Sequence, residues 1–412
     1  MKVKINITEI LILTGILLIL FYSSDPIIYK DSNRYLQQSL LDPPIYSTLI
    51  LIMLSIFGTL NSVIVFQTIL IGIGIIYFTR TVVIQFNLDI LVKTLVSVFL
   101  FLPILQFYRN LLTEPLSYAF SLLFISFIIK LIYKFNYQNL FWSIFFVIAL
   151  LLTRNQFIVI YPVILFLFAG IFILNKSKKI FISLLVSFLS ILIIHNSLTF
   201  LNVYAKKKVL NYELVAEEKL GPYFFTYFDA IYISSVEDAE LFKNKKIKKT
   251  LVSIFKEVDN RKASVKYYDG RGHFGLSLNQ ISDASQTLLE NLAKDQKTNV
   301  KNLKKNISIK LIIKNFGKYV KHIFKKFYDS TWLFIFLPFF MMLAGLINFL
   351  KNKSKFALVI IFVSLFAFAN HSLVYLFGRV QPRYFIYTDF ILLIFIFITF
   401  TILLGKKEKK FM

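Results

Sequence analysis

Residues 157–174 form the stretch FIVIYPVILFLFAGIFIL, which contains no charged residue. A transmembrane α-helix needs about 20 mostly apolar residues, because the hydrocarbon layer is about 30 Å thick and each helical residue spans about 1.5 Å. Apolar side chains occupy every side of this stretch, so the period-2 alternation of a membrane β-strand is missing. The stretch therefore predicts a membrane-spanning helix.

Similar apolar stretches recur along the chain, at residues 62–78, 115–132, 180–201, 332–350 and 385–404. Hydrophobic residues make up 57% of the 412 residues and aromatic residues 17%, which is far more than soluble domains carry. We therefore expect an all-α polytopic membrane protein. Its 47 Phe and 22 Tyr are expected to contact lipid instead of stacking on nucleic acid.

The net charge of +25 comes from Lys and Arg that lie between and beyond the apolar stretches. Short basic loops of membrane proteins stay on the cytoplasmic side. The short basic clusters are residues 2–4, 80–93, 130–134, 176–179, 351–355 and 406–410. About ten transmembrane helices place all of them on that side, with spans near residues 5–22, 61–79, 90–108, 115–134, 139–153, 156–174, 180–200, 331–350, 356–376 and 384–404. Both termini are then cytoplasmic.

This topology requires residues 45–57 to lie against the outer interface as a juxtamembrane helix, because so short a stretch does not span the bilayer. Residues 10–22 follow Lys2 and Lys4 as a signal sequence would. No small-residue cleavage site follows them, so we expect a retained first helix.

Three parts of the chain follow from this topology. Residues 1–200 form an N-terminal transmembrane module with the catalytic first external loop, residues 201–330 an extracytoplasmic domain, and residues 331–412 the C-terminal transmembrane helices. The spacing of apolar residues in the extracytoplasmic domain predicts helices at residues 236–258, 279–294 and 307–328.

Ionisable residues from loops far apart in sequence collect at the outer face in this topology. They are Asp25, Lys30, Asp31, Arg34, Asp42, Arg109, Glu114, Arg154, Arg379 and Arg383. Charged groups are costly at membrane depth, so a cluster of them there predicts a functional site.

Asp31 lies in the first external loop, ahead of a helix expected over residues 32–40. Its position suits an N-cap. It equally suits a general base, because a partly desolvated carboxylate can take the proton of an acceptor hydroxyl while that oxygen attacks the anomeric carbon of a sugar. The leaving group of that reaction is a lipid phosphate.

Four motifs occur in a fixed order along the chain. They are Asp31-Ser32-Asn33-Arg34-Tyr35 followed by Pro43-Pro44-Ile45-Tyr46, then Arg109-Asn110-Leu111-Leu112-Thr113-Glu114-Pro115, then Thr153-Arg154-Asn155, and finally Gln381-Pro382-Arg383-Tyr384. In this order they resemble the GT-C superfamily of polyprenyl-phosphate-sugar-dependent glycosyltransferases, which includes protein O-mannosyltransferases and the lipid A aminoarabinose transferase. The resemblance implies a GT-C-like helical bundle and an inverting glycosyltransferase that uses a lipid-linked sugar.

The resemblance also implies a role for each site residue. Asp31 is the catalytic base, with Asp25 as its rival, and Glu114 binds or orients the acceptor. Arg383 holds the donor phosphate, which suits a guanidinium fork. The other expected substrate-binding residues are Arg34, Tyr35, Arg109, Arg154, Arg379 and Tyr384. Ser32 stands in the place of the family's second acid, which leaves any metal requirement open.

Several polar residues also have purely structural explanations. Thr113-Glu114-Pro115 is typical of a helix start. Contact with the membrane interface explains the arginines Arg109, Arg154, Arg379 and Arg383. Interhelical hydrogen bonds are expected for His195, Asn196, Asn370 and His371.

The chain has no cysteine, its four histidines have no paired spacing, and it has no Gly-rich phosphate loop. We therefore expect no cofactor, and the activated donor must supply the energy. The expected partners are a polyprenyl-phosphate-linked sugar, a lipid, glycan or protein acceptor, and membrane lipids, without nucleic acid.

Two other functions remain open from the residues alone. A lipid-linked oligosaccharide flippase or transporter would place charges deep within its spans, which are nearly free of them here. An O-antigen-type polymerase would use the large external loop, in particular Arg271 and His273. Abundant Ile, Lys and Asn suggest a bacterial chain, so the expected location is the bacterial cytoplasmic membrane with the active site facing outside.

Overall fold

The computed structural model describes residues 7–21, 25–39, 42–209, 224–268, 273–377 and 384–411. The helices of its first half are α1 (Ile7–Phe21), α2 (Lys30–Leu36), α3 (Pro44–Phe57), α4 (Asn61–Phe86), α5 (Ile90–Phe107), α6 (Glu114–Tyr133), α7 (Tyr137–Leu151), a 3₁₀ turn (Asn155–Val159) and α8 (Ile160–Asn175). Then come α9 (Lys178–Val209), α10 (Phe224–Ile233), α11 (Lys245–Asn260), α12 (His273–Asp295), α13 (Val300–Lys314), α14 (Phe316–Asn352), α15 (Lys355–Phe377) and α16 (Ile386–Phe411). Over the described residues the chain has no β-strand, which confirms the all-α prediction.

Six described helices are long and apolar enough to cross a membrane: Asn61–Phe86, Ile90–Phe107, Glu114–Tyr133, Asn155–Asn175, Lys178–Lys208 and Lys355–Tyr375. Shorter apolar helices are Thr8–Leu20, Pro44–Phe57, Tyr137–Leu151, Phe336–Asn352 and Tyr387–Ile402. Length and composition thus indicate a multi-pass membrane protein.

The chain divides into two compact units. The first comprises Met1–Tyr212, Leu337–Asn370 and Pro382–Met412, and the second comprises Glu213–Phe336 and His371–Gln381. Each unit has its own core of buried apolar side chains. The functional division at residues 200 and 330 stays a prediction.

Helices α4 and α6 pack closely within the first unit, because small residues let their backbones approach. A Cβ atom at Gly74 of α4 would lie 3.2 Å from the carbonyl oxygen of Ala119 on α6. A Cβ atom at Gly72 would overlap the side chain of Ile16 on α1. Such small residues are typical of helix contacts within membranes, where close packing must replace the hydrophobic effect.

Helix α3 is short and is fixed at both ends. It begins at Pro44, and proline suits a first turn because its φ is already helical and the first N–H groups need no partner. It ends at Gly58, whose φ of 71° lies in the left-handed region that favours glycine. The predicted helix at residues 45–57 is therefore present, while its place at the interface stays a prediction.

The second unit packs α10, α11, α12 and α13 around one apolar core. The predicted helix at residues 279–294 corresponds to α12. The prediction of one helix over residues 236–258 is right only in part, because a short 3₁₀ helix (Val236–Leu241) is separated from α11, which begins at Lys245. The prediction of one helix over residues 307–328 is wrong, because the chain breaks at Asn315 between α13 and α14. Helix α10 was not predicted, since its apolar side chains surround the helix and show no period.

A buried polar centre lies inside this second unit. Asp229 on α10 is fully buried, and its Oδ1 lies 2.9 Å from Nε2 of His322 and 3.1 Å from Nζ of Lys326. Both partners are themselves buried, and they stand one helical turn apart on α14. Burying a carboxylate is costly unless its charge is compensated, and here Lys326 supplies the positive charge and His322 a hydrogen bond.

Candidate active site

Helix α2 carries Asp31 in its first turn. The helix begins at Lys30 after the N-cap residue Tyr29, so the expected N-cap role of Asp31 is wrong. Ser32 makes the capping contact instead, because its buried Oγ accepts a hydrogen bond of 2.9 Å from the backbone N of Tyr29. The helix ends at Leu36, short of the predicted residue 40. Asp31 is therefore not the cap of α2, and it is partly exposed.

The loop ahead of α2 lies against the segment that leads into α6. The backbone N of Ile27 donates to the carbonyl oxygen of Arg109 at 2.9 Å, and the backbone N of Leu111 donates to the carbonyl oxygen of Ile27 at 3.1 Å. Nη2 of Arg109 also donates to the carbonyl oxygen of Asp25 at 2.8 Å, while the Asp25 side chain is exposed. These bonds bring the start of α2 beside the start of α6.

Tyr35 lies on the same side of α2 as Asp31, because residues four apart face the same side of a helix. Its phenol interacts with the Thr113 side chain and with the charge of Glu114. Burial, with a smaller contribution from the charge of Asp42, raises the pKa of the Tyr35 phenol well above its ordinary value. Tyr35 therefore stays protonated and can donate a hydrogen bond at neutral pH.

Aromatic packing holds Tyr35 in place. Its ring meets the ring of Tyr46 on α3 edge to face, with centroids 5.1 Å apart and planes at 86°. Tyr46 is fully buried in a small core with Ile50, Leu111 and Leu116. That core joins α3 to the start of α6, so α2 rests on a rigid support.

Arg34 points to the other side of α2 and forms an ion pair with Asp42. Its Nη2 lies 2.6 Å from Oδ1 of Asp42, which is buried. Ser39 lies three residues before Asp42, and its carbonyl oxygen accepts a hydrogen bond of 2.8 Å from Nζ of Lys206 on α9. Arg34 is therefore engaged in holding the loop between α2 and α3, while its predicted part in substrate binding stays a prediction.

Glu114 and Arg154 form the charged centre of the site. Oε1 of Glu114 lies 3.0 Å from Nη1 of Arg154, and the side chains are 4% and 17% exposed. Glu114 and Pro115 open α6, which confirms the predicted helix start. The N-cap Thr113 makes no side-chain capping bond, and Nη1 of Arg154 donates to its Oγ1 at 3.5 Å. Snorkelling is thus the wrong explanation for Arg154, which points into the protein.

Tyr384 covers one side of the Arg154 guanidinium. The Arg154 guanidinium lies 4.4 Å from the centroid of the Tyr384 ring. The carbonyl oxygen of Tyr384 accepts from Nε2 of Gln156 at 3.3 Å and from Nδ2 of Asn370 at 3.0 Å. Asn370 also donates to Oγ1 of Thr388 at 3.3 Å, which is the predicted interhelical hydrogen bond between α15 and α16.

Buried hydroxyl groups accompany the ion pair. Ser117 and Ser121 follow Glu114 at helical spacing on one side of α6, and their buried Oγ atoms have no hydrogen-bond partner among the described residues. The same holds for the hydroxyl of Tyr387, whose electrostatic partners include Arg154 and Glu114. Buried polar groups are usually satisfied, so these hydroxyls are exceptions within the described part of the chain.

Sequence reasoning found some of these residues and not others. It singled out Glu114, Arg154, Tyr35 and Tyr384, which the structure brings together. It missed Gln156, Ser117 and Tyr387, since neutral polar residues within apolar stretches form no motif. Tyr46 belonged to the motif Pro43-Pro44-Ile45-Tyr46 but had no role of its own assigned. His195 was expected to join helices, and its Nδ1 lies 2.6 Å from the Tyr161 hydroxyl, between α9 and α8.

Other predicted residues fall where the structure gives no description. Arg379, Arg383 and Arg271 lie outside the described residues. His273 opens α12, but its side chain is not described. Within the described ranges no three His, Asp or Glu side chains gather as a metal site would require.

Comparisons of this chain with protein-family models, with curated proteins and with solved structures found no match.

Proposed function

We propose that this chain is an inverting glycosyltransferase of the GT-C type, which moves a sugar from a polyprenyl-phosphate donor to an acceptor at the outer face of the bacterial cytoplasmic membrane. The observation that supports it is the meeting of four distant polar segments in the first unit: α2, the start of α6, the turn after α7 and the start of α16. These segments carry the four motifs of the resemblance. A buried polar centre assembled from four segments is costly, and such a cost is typical of functional sites.

The two acids of the proposed site have different tasks. Glu114 is held against Arg154, so it acts as a fixed charge that orients the acceptor and the neighbouring phenols. Asp31 is partly exposed and acts as the general base. It takes the hydroxyl proton of the acceptor, whose oxygen bonds to the anomeric carbon from the face opposite the phosphate. The bond from that carbon to the phosphate oxygen breaks, and polyprenyl phosphate leaves with the electron pair.

The arginines of the proposed site bind the donor. Arg383 holds the donor phosphate in this proposal, and Arg379 assists it. Tyr384, next to Arg383, stacks on the buried Arg154 and so ties the start of α16 to the charged centre. The hydroxyls of Ser117 and Tyr387 offer further hydrogen bonds to the sugar.

The proposed topology has ten spans, namely the six long helices and four of the shorter apolar ones, with α3 lying at the outer interface. Glu114 opens α6 and Lys130 lies in its last turn, sixteen residues and about 24 Å away. The basic residues thus occupy the helix end opposite the proposed site. With the basic end cytoplasmic, the site faces outward and both termini are cytoplasmic.

A transfer assay tests the proposal directly. The purified chain is reconstituted in vesicles with polyprenyl-phosphate mannose or polyprenyl-phosphate aminoarabinose, labelled in the sugar, and with lipid, glycan and peptide extracts as acceptors. We expect release of polyprenyl phosphate and movement of label to one acceptor class. Label that crosses the vesicle membrane while still attached to its lipid would instead show the flippase, and would contradict the proposal.

A further inference from the structure

A basic cavity lies at the end of α4 and α6 that is far from Glu114. It has a volume of about 370 Å³, and its lining includes Arg80 on α4, Lys130 on α6 and Lys134 just after α6. None of the described residues that line it is acidic. The proposed transferase has no task for this cavity, which lies about 24 Å from its active site along α6.

We infer that this cavity binds the phosphodiester headgroup of an anionic glycerophospholipid. Arg80 and Lys93 share the carboxylate of Glu9, with distances of 2.5 Å from Arg80 Nη2 to Oε2 and 3.3 Å from Lys93 Nζ to Oε1. The single negative charge of Glu9 therefore compensates only one of the positive charges of Arg80 and Lys93, and Lys130 and Lys134 add two more. The surplus positive charge around the cavity suits a phosphate, and basic pockets between transmembrane helices bind such headgroups.

The cavity also has the directed groups that a headgroup needs. Nζ of Lys130 donates to the Tyr77 hydroxyl at 2.7 Å and lies 3.9 Å from the centroid of the Tyr77 ring, so its charge is held in a fixed position. Asn136 and Asn139, at the start of α7, contribute amide groups to the lining. Amide N–H groups and ammonium groups both donate to phosphate oxygens, and the amides also bind glycerol hydroxyls.

A lipid suits the cavity better than free phosphate does. Ile84 belongs to the lining and is 68% exposed, so an apolar surface adjoins the charged groups. The cavity lies at the ends of two helices that are long enough to span a membrane, where headgroups lie. The glycerol part of a lipid whose headgroup occupies the cavity would contact Ile84, whereas free phosphate would leave that surface unused.

Lipid binding by the full chain in detergent tests this inference without any measurement of transfer. Phosphatidylglycerol is titrated into the delipidated protein, and bound lipid is counted by native mass spectrometry. We expect Lys134→Gln to weaken binding about fivefold, as the loss of one cation near an anionic lipid implies, and Lys130→Gln/Lys134→Gln to weaken it further. Lys134 is exposed, so its replacement leaves the fold intact.

Lys179→Gln is the matched control. Lys179 is exposed near the start of α9, which the proposed topology puts on the same side of the membrane as Lys134. It does not line the cavity, so Lys179→Gln should bind phosphatidylglycerol as the unmodified chain does. Lys134→Arg should retain binding. Equal weakening by Lys134→Gln and Lys179→Gln would overturn the inference, as would equal binding of phosphatidylcholine. Displacement of the lipid by millimolar inorganic phosphate would assign the cavity to free phosphate instead.

Discussion

Oε1 of Glu114 lies 3.0 Å from Nη1 of Arg154, and the two side chains are almost entirely removed from solvent. One residue opens α6 and the other follows α7, so the ion pair links two neighbouring helices at the same end. Breaking a buried ion pair by removing one partner costs about 3–5 kcal/mol, because the remaining charge is left buried. The pair is therefore a structural element of the site as well as a chemical one.

Arg154→Gln should lower the free energy of unfolding by about 3–5 kcal/mol. The variant Glu114→Gln/Arg154→Gln should lose less than the sum of the two single variants, because neither charge is then left alone. Thermal unfolding in detergent, followed by Trp fluorescence, measures both. Arg261→Gln is the control, since its exposed pair with Glu257 is worth only about 0.5 kcal/mol. Additive losses in the double variant would contradict the coupling.

Gly74→Leu should separate α4 from α6. A side chain there would meet the carbonyl oxygen of Ala119 and the Cβ atom of Leu122, at 3.2 and 3.5 Å from the added Cβ. Overpacking of this kind costs about 1–3 kcal/mol. Gly317→Leu is the matched control on α14, where an added Cβ meets nothing within 4 Å. Thermal unfolding of both variants should show a clear loss for Gly74→Leu alone, and equal midpoints would disprove the close approach.

His322 should make the second unit less stable at mildly acidic pH. Burial lowers the pKa of its imidazole below the ordinary value, although the hydrogen bond with Asp229 opposes that shift. The unfolded chain then binds more protons than the folded chain near the ordinary pKa of about 6.5, so stability is lost as the pH falls through that range. His322→Gln, which keeps an amide beside Asp229, should flatten the dependence of the unfolding midpoint between about pH 7.5 and 5.5. Parallel curves for both proteins would exclude His322 as the cause.

Single cysteines test the orientation, since the chain has none of its own. Asn33→Cys lies on the exposed side of α2, and Lys134→Cys lies at the opposite end of α6. We expect a membrane-impermeant maleimide to label Asn33→Cys in intact cells and Lys134→Cys only after permeabilisation. Labelling of Lys134→Cys in intact cells, with Asn33→Cys protected, would reverse the topology.

The helices were predictable where composition alone decides them. Uncharged stretches such as residues 157–174 have no stable alternative to a helix in a membrane, and α5 to α8 match the predicted bounds closely, whereas α4 continues past residue 79 to Phe86. The bounds of α9 and α14 were less predictable, because both helices continue into basic, amphipathic sequence. Composition therefore shows where a helix can cross a membrane but not where it ends.

Only those site residues that belong to short sequence motifs could be predicted. Glu114 and Tyr35 belong to short motifs, whereas Gln156 and Tyr387 are neutral residues whose partners come from other parts of the chain. The charges of Arg80 and Lys93 were interpreted only as markers of the cytoplasmic side, although both residues form ion pairs with Glu9. Pairing between distant segments is a property of the fold, and one sequence does not reveal it.

Replacement of Asp31 tests the central claim most directly. The initial rate of sugar transfer from the lipid-linked donor is measured for Asp31→Asn and for Asp25→Asn, its matched control, each verified as folded by thermal unfolding. General-base catalysis contributes about 100-fold or more, so Asp31→Asn should lose at least that factor while Asp25→Asn stays near the rate of the unmodified chain. An undiminished rate for Asp31→Asn, or a loss confined to Asp25→Asn, would contradict the assignment of Asp31 as the base.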